Sequence, residues 1–143
     1  MTEPHSDPSC LFCRIVAGAE PAHLVYEDAD TVGFLDVRPV FPGHVLLVPR
    51  IHVVTLPDLP AELVGPFFEA GRRIAAAVPI ALGAQGTFVA MNNIVSQSVP
   101  HLHLHVVPRT KGDGLRGFFW PRTRYAHPED AAATAARIRT TLG

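Results

Sequence analysis

The sequence has almost no cysteine, no excess of charge of either sign and no long apolar run, and each lack excludes something. Of its 143 residues two are cysteines, Cys10 and Cys13, too few to staple a small secreted fold with disulfides. Twelve Lys+Arg against thirteen Asp+Glu leave a formal net charge of −1. No broad basic field is therefore available to hold a nucleic-acid polymer by counterion release. The longest apolar runs, such as Val45 to Val48 and Ile74 to Ile80, fall well short of the roughly 20 residues that span a bilayer, which argues against any membrane partner. The first residues carry no Lys or Arg and lead into no hydrophobic stretch, so they do not read as a secretory signal, and the expected location is cytoplasmic.

What remains is the composition of one globular domain, with 48% hydrophobic and 17% charged residues in a length that buries one core. The expected organisation is a single domain over 1–143, with a loose N-terminal arm at 1–9 and a C-terminal extension over 111–143. In a reducing compartment, two thiols separated by two residues point to metal or redox chemistry before a structural disulfide.

Leu11 to Val16 places Phe12, Ile15 and Val16 on one side of a short helix that Gly18 ends. Ala22 to Glu27 and Thr31 to Asp36 read as two strands of a hairpin, and His44 to Pro49 as a third, largely buried strand. From Pro60 to about Ala84, Leu63, Phe67, Phe68, Ile74 and Val78 recur at helical spacing. Pro66 predicts a late start or a kink in this long helix, and Pro79 should limit its far end. Thr87 to Asn92 is a fourth strand, Asn93 to Pro100 a polar loop, and His101 to Val107 a fifth strand. Pro128, Glu129 and Asp130 open a last helix as its dipole prefers. The order implies an α+β domain with a mostly antiparallel five-stranded sheet, a long helix and short terminal helices, the helices packed on one face.

The segment His101-Leu102-His103-Leu104-His105-Val106-Val107 carries the chemistry. On a strand, alternate side chains share a face, so three imidazoles line one side while Leu102, Leu104 and Val106 enter the core. Imidazole titrates near neutrality, and such a row can hold a neutral nucleophile beside a proton donor. Attack by a neutral His103 nitrogen on phosphorus would form a phosphorus–nitrogen intermediate, splitting one hard displacement into two easier ones. Donors in the Asn92 to Val99 loop would stabilise the equatorial oxygens. A set of surface histidines or a pure metal cluster is the competing reading of the same residues.

This segment resembles the His-φ-His-φ-His-φ-φ signature, φ being apolar, of the histidine triad (HIT) superfamily of nucleotide hydrolases and transferases. The blocks Cys10-Leu11-Phe12-Cys13, Tyr26-Glu27-Asp28, Phe34-Leu35-Asp36-Val37-Arg38-Pro39 and Pro42-Gly43-His44-Val45-Leu46-Leu47-Val48-Pro49-Arg50-Ile51-His52 are similar to that family in the same order. The resemblance spans roughly residues 10 to 115. It implies the HIT fold, a homodimer, and His103 as nucleophile, with His105 bonding the scissile phosphate or leaving group and His44 and His101 supporting. It further implies that Asn92, Gln97 and Ser98 bind phosphate or the leaving-group side and that Asp36 holds the ribose hydroxyls. Leu11, Phe12, Ile15, Phe34 and Val37 would form the walls of a purine pocket for an AMP or GMP moiety. A carboxylate accepts two vicinal hydroxyls well and an apolar slot suits a flat base; core packing is the other reading of Phe12 and Phe34.

In the branch of that family beginning with Cys-x-x-Cys, the resemblance implies a structural zinc held by Cys10, Cys13, His52 and His101. A closed Cys₂His₂ shell would support the chemistry without performing it. The loop lacks the glycine that relatives carry after the Asn-Asn pair, which restricts positive φ there and opens Asn93 as an alternative to Asn92. Pro108-Arg109-Thr110-Lys111-Gly112-Asp113 resembles a run found in dinucleoside-polyphosphate hydrolases. The expected function is hydrolysis at a substituted α-phosphate, of dinucleoside polyphosphates or nucleoside phosphoramidates. The alternatives are a purine-nucleotide-binding module with little turnover and a zinc-binding scaffold. Phe118, Phe119 and Trp120, beside Arg122 and Arg124, would stack on a leaving nucleoside, cover a subunit surface or close the local core.

Overall fold

A computed structural model describes residues 6–115 and 122–143. Phe118, Phe119 and Trp120, and the first five residues of the N-terminal arm, lie outside the described residues. The chain divides into two compact units, Met1–Asp113 and Gly114–Gly143. In the first, a short helix α1 (Leu11–Val16) precedes strands β1 (Leu24–Glu27), β2 (Thr31–Leu35) and β3 (Val45–Pro49). A single 3-10 turn at Leu56–Asp58, which the sequence pattern did not announce, leads into the long helix α2 (Ala61–Leu82), and β4 (Gly86–Ala90) and β5 (Leu104–Arg109) follow. The second unit holds α3 (Pro128–Leu142), with Glu129 and Asp130 in its first turn and Arg139 in its last, the charge order a helix dipole favours. No helix among the described residues is long and apolar enough to cross a membrane.

The five strands form one sheet in the order β1-β2-β3-β5-β4, with every pair antiparallel. The fold is the α+β architecture expected, but α1 and α2 do not share one face. Val45 and Leu47 of β3 pack with Leu104 and Val106 of β5 against Phe67, Ala70, Ile74 and Val78 of α2. Leu46 and Val48 pack instead with Val32 and Phe34 of β2 and with Cys10, Phe12 and Cys13 at the start of α1. The cause is visible in β3 itself: five consecutive residues are buried, and a strand with apolar side chains pointing both ways must be covered on both faces.

Helix α2 starts at Ala61 in spite of Pro66 and runs three residues past Pro79, so neither proline sets a boundary. An interior proline costs about 3 kcal/mol, whereas burying one large apolar side chain yields about 1.5–3 kcal/mol. Phe67, Ile74 and Val78, all buried on one face, together yield about 4.5–9 kcal/mol, which offsets the roughly 6 kcal/mol of the two prolines. At Gly71 a Cβ would stand 2.8 Å from Leu104 Cδ2, and this glycine lets α2 lie close against β5.

β5 begins at Leu104, not at His101. His101, Leu102 and His103 precede the ladder, with the Leu102 N–H donating to the Val53 carbonyl at 2.8 Å. The alternation survives the loss of sheet pairing, because Leu102 is fully buried in the α2 core while the His101 and His103 rings meet Phe12 of α1 on the opposite side.

Candidate active site and metal centre

The register Leu46↔His105 and Ala90↔His105 sets His105 on an interior strand, between β3 and the edge strand β4, on the face that α1 covers. His103 lies beside it, ring centroids 4.9 Å apart. The Phe12 ring stands edge-on to both Phe34 at 5.3 Å and His103 at 5.2 Å. Leu11, Phe12, Ile15, Phe34, Asp36 and Val37, the six residues read from the sequence as base and ribose contacts, line one cleft of about 180 Å³ together with Ser98, His103 and His105. Asn92 and Gln97 do not line it: Asn92 Nδ2 donates to the Ser96 carbonyl at 3.2 Å and Gln97 Nε2 to the Val54 carbonyl at 2.6 Å. Asn93 Oδ1 accepts from the Leu56 N–H at 2.7 Å. Pro21, Ala22, Leu35, Arg38, Leu46 and Val99 complete the lining. Of these, Leu46 was within reach of the sequence, because it shares the two-residue period of β3 with Val48 and so faces α1.

The hydrogen bonds assign the proton on each ring. The carbonyl of His101 lies 2.7 Å from His103 Nδ1, so Nδ1–H donates there, which in the neutral ring leaves the lone pair on Nε2. The Val40 N–H donates to His44 Nδ1 at 3.1 Å, which leaves the proton of His44 on Nε2. That nitrogen stands 2.9 Å from His105 Nδ1 and donates to it, so neutral His105 keeps its own proton on Nε2. Asp36 Oδ2 lies 3.8 Å from His44 Nδ1. Burial pushes His105 down to about 4, with His103 and His44 acting in the same direction and Asp36 opposing them. Burial lowers His44 too, against the pull of Asp36. Both rings are neutral near pH 7.

Behind the cleft a second constellation forms. Cys10 is the N-cap of α1 and its Sγ accepts the Cys13 N–H at 3.4 Å, so the Cys-x-x-Cys spacing sets both thiols at the first turn of one helix. Cys10, Cys13, His52 and His101 present ligand atoms all within 4.8 Å of one another. The His101 Nδ1 lies 3.4 and 3.5 Å from the two sulfurs and 3.3 Å from His52 Nδ1. Cys13 Sγ is 3.3 Å from His52 Nδ1. Ordinary zinc–sulfur and zinc–nitrogen lengths in a tetrahedron give edges of about 3.5 Å for S···N and about 3.3 Å for N···N. The donors are spaced for one zinc ion. His101 Nε2–H donates to the Pro49 carbonyl at 2.9 Å, which turns the Nδ1 lone pair inward and fixes the tautomer that a metal ligand needs. Burial holds this ring neutral, down to about 4, and pushes the Cys13 thiol up. A buried and a half-buried imidazole and two buried thiols facing one another make a set that a divalent cation completes.

Comparison with known proteins places these sites in context. Residues 17–112 match the HIT domain. An uncharacterized HIT-like protein of Mycobacterium tuberculosis is 42% identical over 108 residues, covering 74% of this chain and 75% of its own. Adenosine 5'-monophosphoramidase of Schizosaccharomyces pombe is 29% identical over 136 residues, 94% of this chain and 98% of its own. A crystal structure of a HIT-family member from Bacillus subtilis superposes with a TM-score of 0.85 at 34% identity, over 94% of this chain and 97% of that one. A Zn-bound histidine triad family protein from Mycobacterium smegmatis superposes with a TM-score of 0.72 at 39% identity, over 93% and 97%.

Proposed function

This chain belongs to the HIT family, and on that premise we propose that it hydrolyses purine nucleotides carrying a substituted α-phosphate, through a nucleotidyl–His103 intermediate. The observation that carries the reading is the hydrogen-bond pattern: the His101 carbonyl engages His103 Nδ1, which in the neutral ring leaves the lone pair on Nε2, and the Val40–His44–His105 chain leaves an N–H on His105 Nε2. A purine lies in the apolar part of the cleft formed by Leu11, Phe12, Ile15, Phe34 and Val37, and Asp36 takes the ribose hydroxyls. The α-phosphate then sits between Ser98 and the two catalytic imidazoles.

An anionic phosphate favours the charged form of a neighbouring base, and it draws one proton from solvent onto His44 Nδ1, which releases the Val40 N–H and faces Asp36 Oδ2 at 3.8 Å; the His44 Nε2 proton then passes to His105 Nδ1 as His105 Nε2 gives up its own. His103 Nε2 attacks phosphorus, the N–P bond forms, the bond to the leaving group breaks, and the leaving group takes the proton from His105 Nε2. Water next attacks phosphorus and gives its proton back to His105 Nε2. The N–P bond breaks, releasing the nucleoside monophosphate and neutral His103. The cysteines and His52 touch no reacting atom. Cys10, Cys13, His52 and His101 would hold a zinc ion, which would tie α1 to the backbone of His101, whose carbonyl fixes His103.

The relative named a monophosphoramidase supports an amine leaving group, and the Pro108 to Asp113 run supports a polyphosphate one. A panel of diadenosine polyphosphates and AMP-amide tests the function with wild type, His103→Ala and His103→Asn. Release of AMP from at least one class, lost in both variants with the fold retained, is expected. Tight AMP binding with no turnover of either class would identify a binding module, and zinc binding without nucleotide binding a scaffold.

A further inference from the structure

We propose that Gln97 is a positioning residue, holding the 92–99 loop in a strained shape that presents Ser98 to the α-phosphate, and that it does not touch the phosphate itself. The inference rests on the function proposed above, because it takes the phosphate to lie between Ser98 and the imidazoles.

The two polar ends of the Gln97 side chain are both engaged within the protein. Oε1 accepts the Ile94 N–H at 3.1 Å and Nε2 donates to the Val54 carbonyl at 2.6 Å. Gln97 is outside the cleft lining, whereas its neighbour Ser98 is in it with His103 and His105. Two residues of the loop, Ile94 at φ 72 and Ser96 at φ 62, have left-handed backbone, a region that L side chains enter at a cost, highest for a β-branched residue. Such a conformation persists where the surroundings over-determine it. Here the surroundings are the Gln97 bond to Ile94, the Asn92 bond to the Ser96 carbonyl and the Asn93 bond to Leu56.

The anchor at the other end explains why the clamp matters to chemistry. Val54 lies on the strap that follows His52, and the preceding carbonyl, Val53, accepts the N–H of Leu102 between the first two triad histidines. Gln97 therefore refers the loop to the same strap that locates His101 and His103. A displacement of Ser98 by about 1 Å is enough to lose a large part of a positioned catalyst's rate.

The test is a double-mutant cycle of Gln97→Ala and Ser98→Ala, read as kcat/KM and, independently of turnover, as AMP affinity, together with amide exchange of the nucleotide-free protein. Each single variant is expected to lose about tenfold, and the double variant less than about threefold beyond Ser98→Ala, because residues acting as one unit are not additive. The amide of Ile94 is expected to exchange at least about tenfold faster in Gln97→Ala, with the thermal midpoint little changed. Losses that multiply in full, or an unchanged Ile94 exchange rate, would overturn the proposal. Absence of turnover in wild type would tell against the function, while the affinity cycle and the exchange rates would still decide the clamp.

Discussion

His44 and His105 are joined ring to ring, Nε2 to Nδ1 at 2.9 Å, and the Val40 N–H on the far nitrogen of His44 fixes the direction of that bond. One backbone amide in a loop thus decides which nitrogen of His105 offers a proton to the cleft. The neighbours of the pair are His103 on β5's approach and Asp36 at the end of β2.

Nucleotide binding should take up a proton. The free pair is neutral near pH 7, since burial and the adjacent rings press His105 down to about 4, and an anionic phosphate acts in the opposite direction. Calorimetry of AMP binding near pH 6, in buffers of different ionisation enthalpy, is expected to show proton uptake that His105→Asn removes. Identical heats after buffer correction in wild type and variant would contradict it.

Acid should destabilise the fold through the same ring. His105 is held below the unfolded value of about 6.5, so between that value and about 4 the unfolded chain binds more protons than the folded one. Stability then rises with pH across this window and is lost as pH falls. His44 acts in the same direction. Chemical denaturation from pH 7 to pH 4.5 should show a steeper loss for wild type than for His105→Asn, which has no such proton to gain.

Removal of the metal should cost stability before it costs chemistry. Protein prepared with zinc is expected to hold about one ion per chain, and Cys10→Ser or His52→Ala to lose it. Closing a four-ligand shell in the folded state alone links metal binding to folding, and a loss of about 3 kcal/mol, roughly 10 °C in the thermal midpoint, is expected. Equal stability and full occupancy in Cys10→Ser would contradict the ligand set.

Gly43 should resist substitution. Its φ of 97 lies in the left-handed region, and a Cβ there would collide with Leu82 Cδ1. Gly43→Ala is expected to destabilise by about 2 kcal/mol, with loss of order around His44. Gly86→Ala, where nothing lies within 4 Å of the added Cβ, is the matched control, expected to change stability by less than about 1 kcal/mol. The two thermal midpoints separate the cases.

Much of the site was legible because it obeys the period of a strand. The alternation of His101, Leu102, His103, Leu104 and His105 sorts imidazole from core even where the ladder has not begun, and Cys10 and Cys13 are brought together by the first turn of α1. The covering of both sheet faces was misread, although four apolar residues in succession at Val45 to Val48 carry that information. The helix starts ahead of Pro66 and runs past Pro79 for a different reason, since local propensity is outweighed by the buried face of α2. Gln97 could not be read from spacing, because its partners at Val54 and Ile94 are backbone groups, and any residue type would have supplied them.

The central claim is that His103 carries the nucleotide in mid-reaction, and acid-quenched wild-type protein, mixed with an adenylated substrate and digested for mass spectrometry, tests it most directly. The expected result is an adenylyl mass on the peptide containing His103, absent from His103→Asn. Turnover at full rate with no adduct, or with the adduct on another histidine, would contradict it.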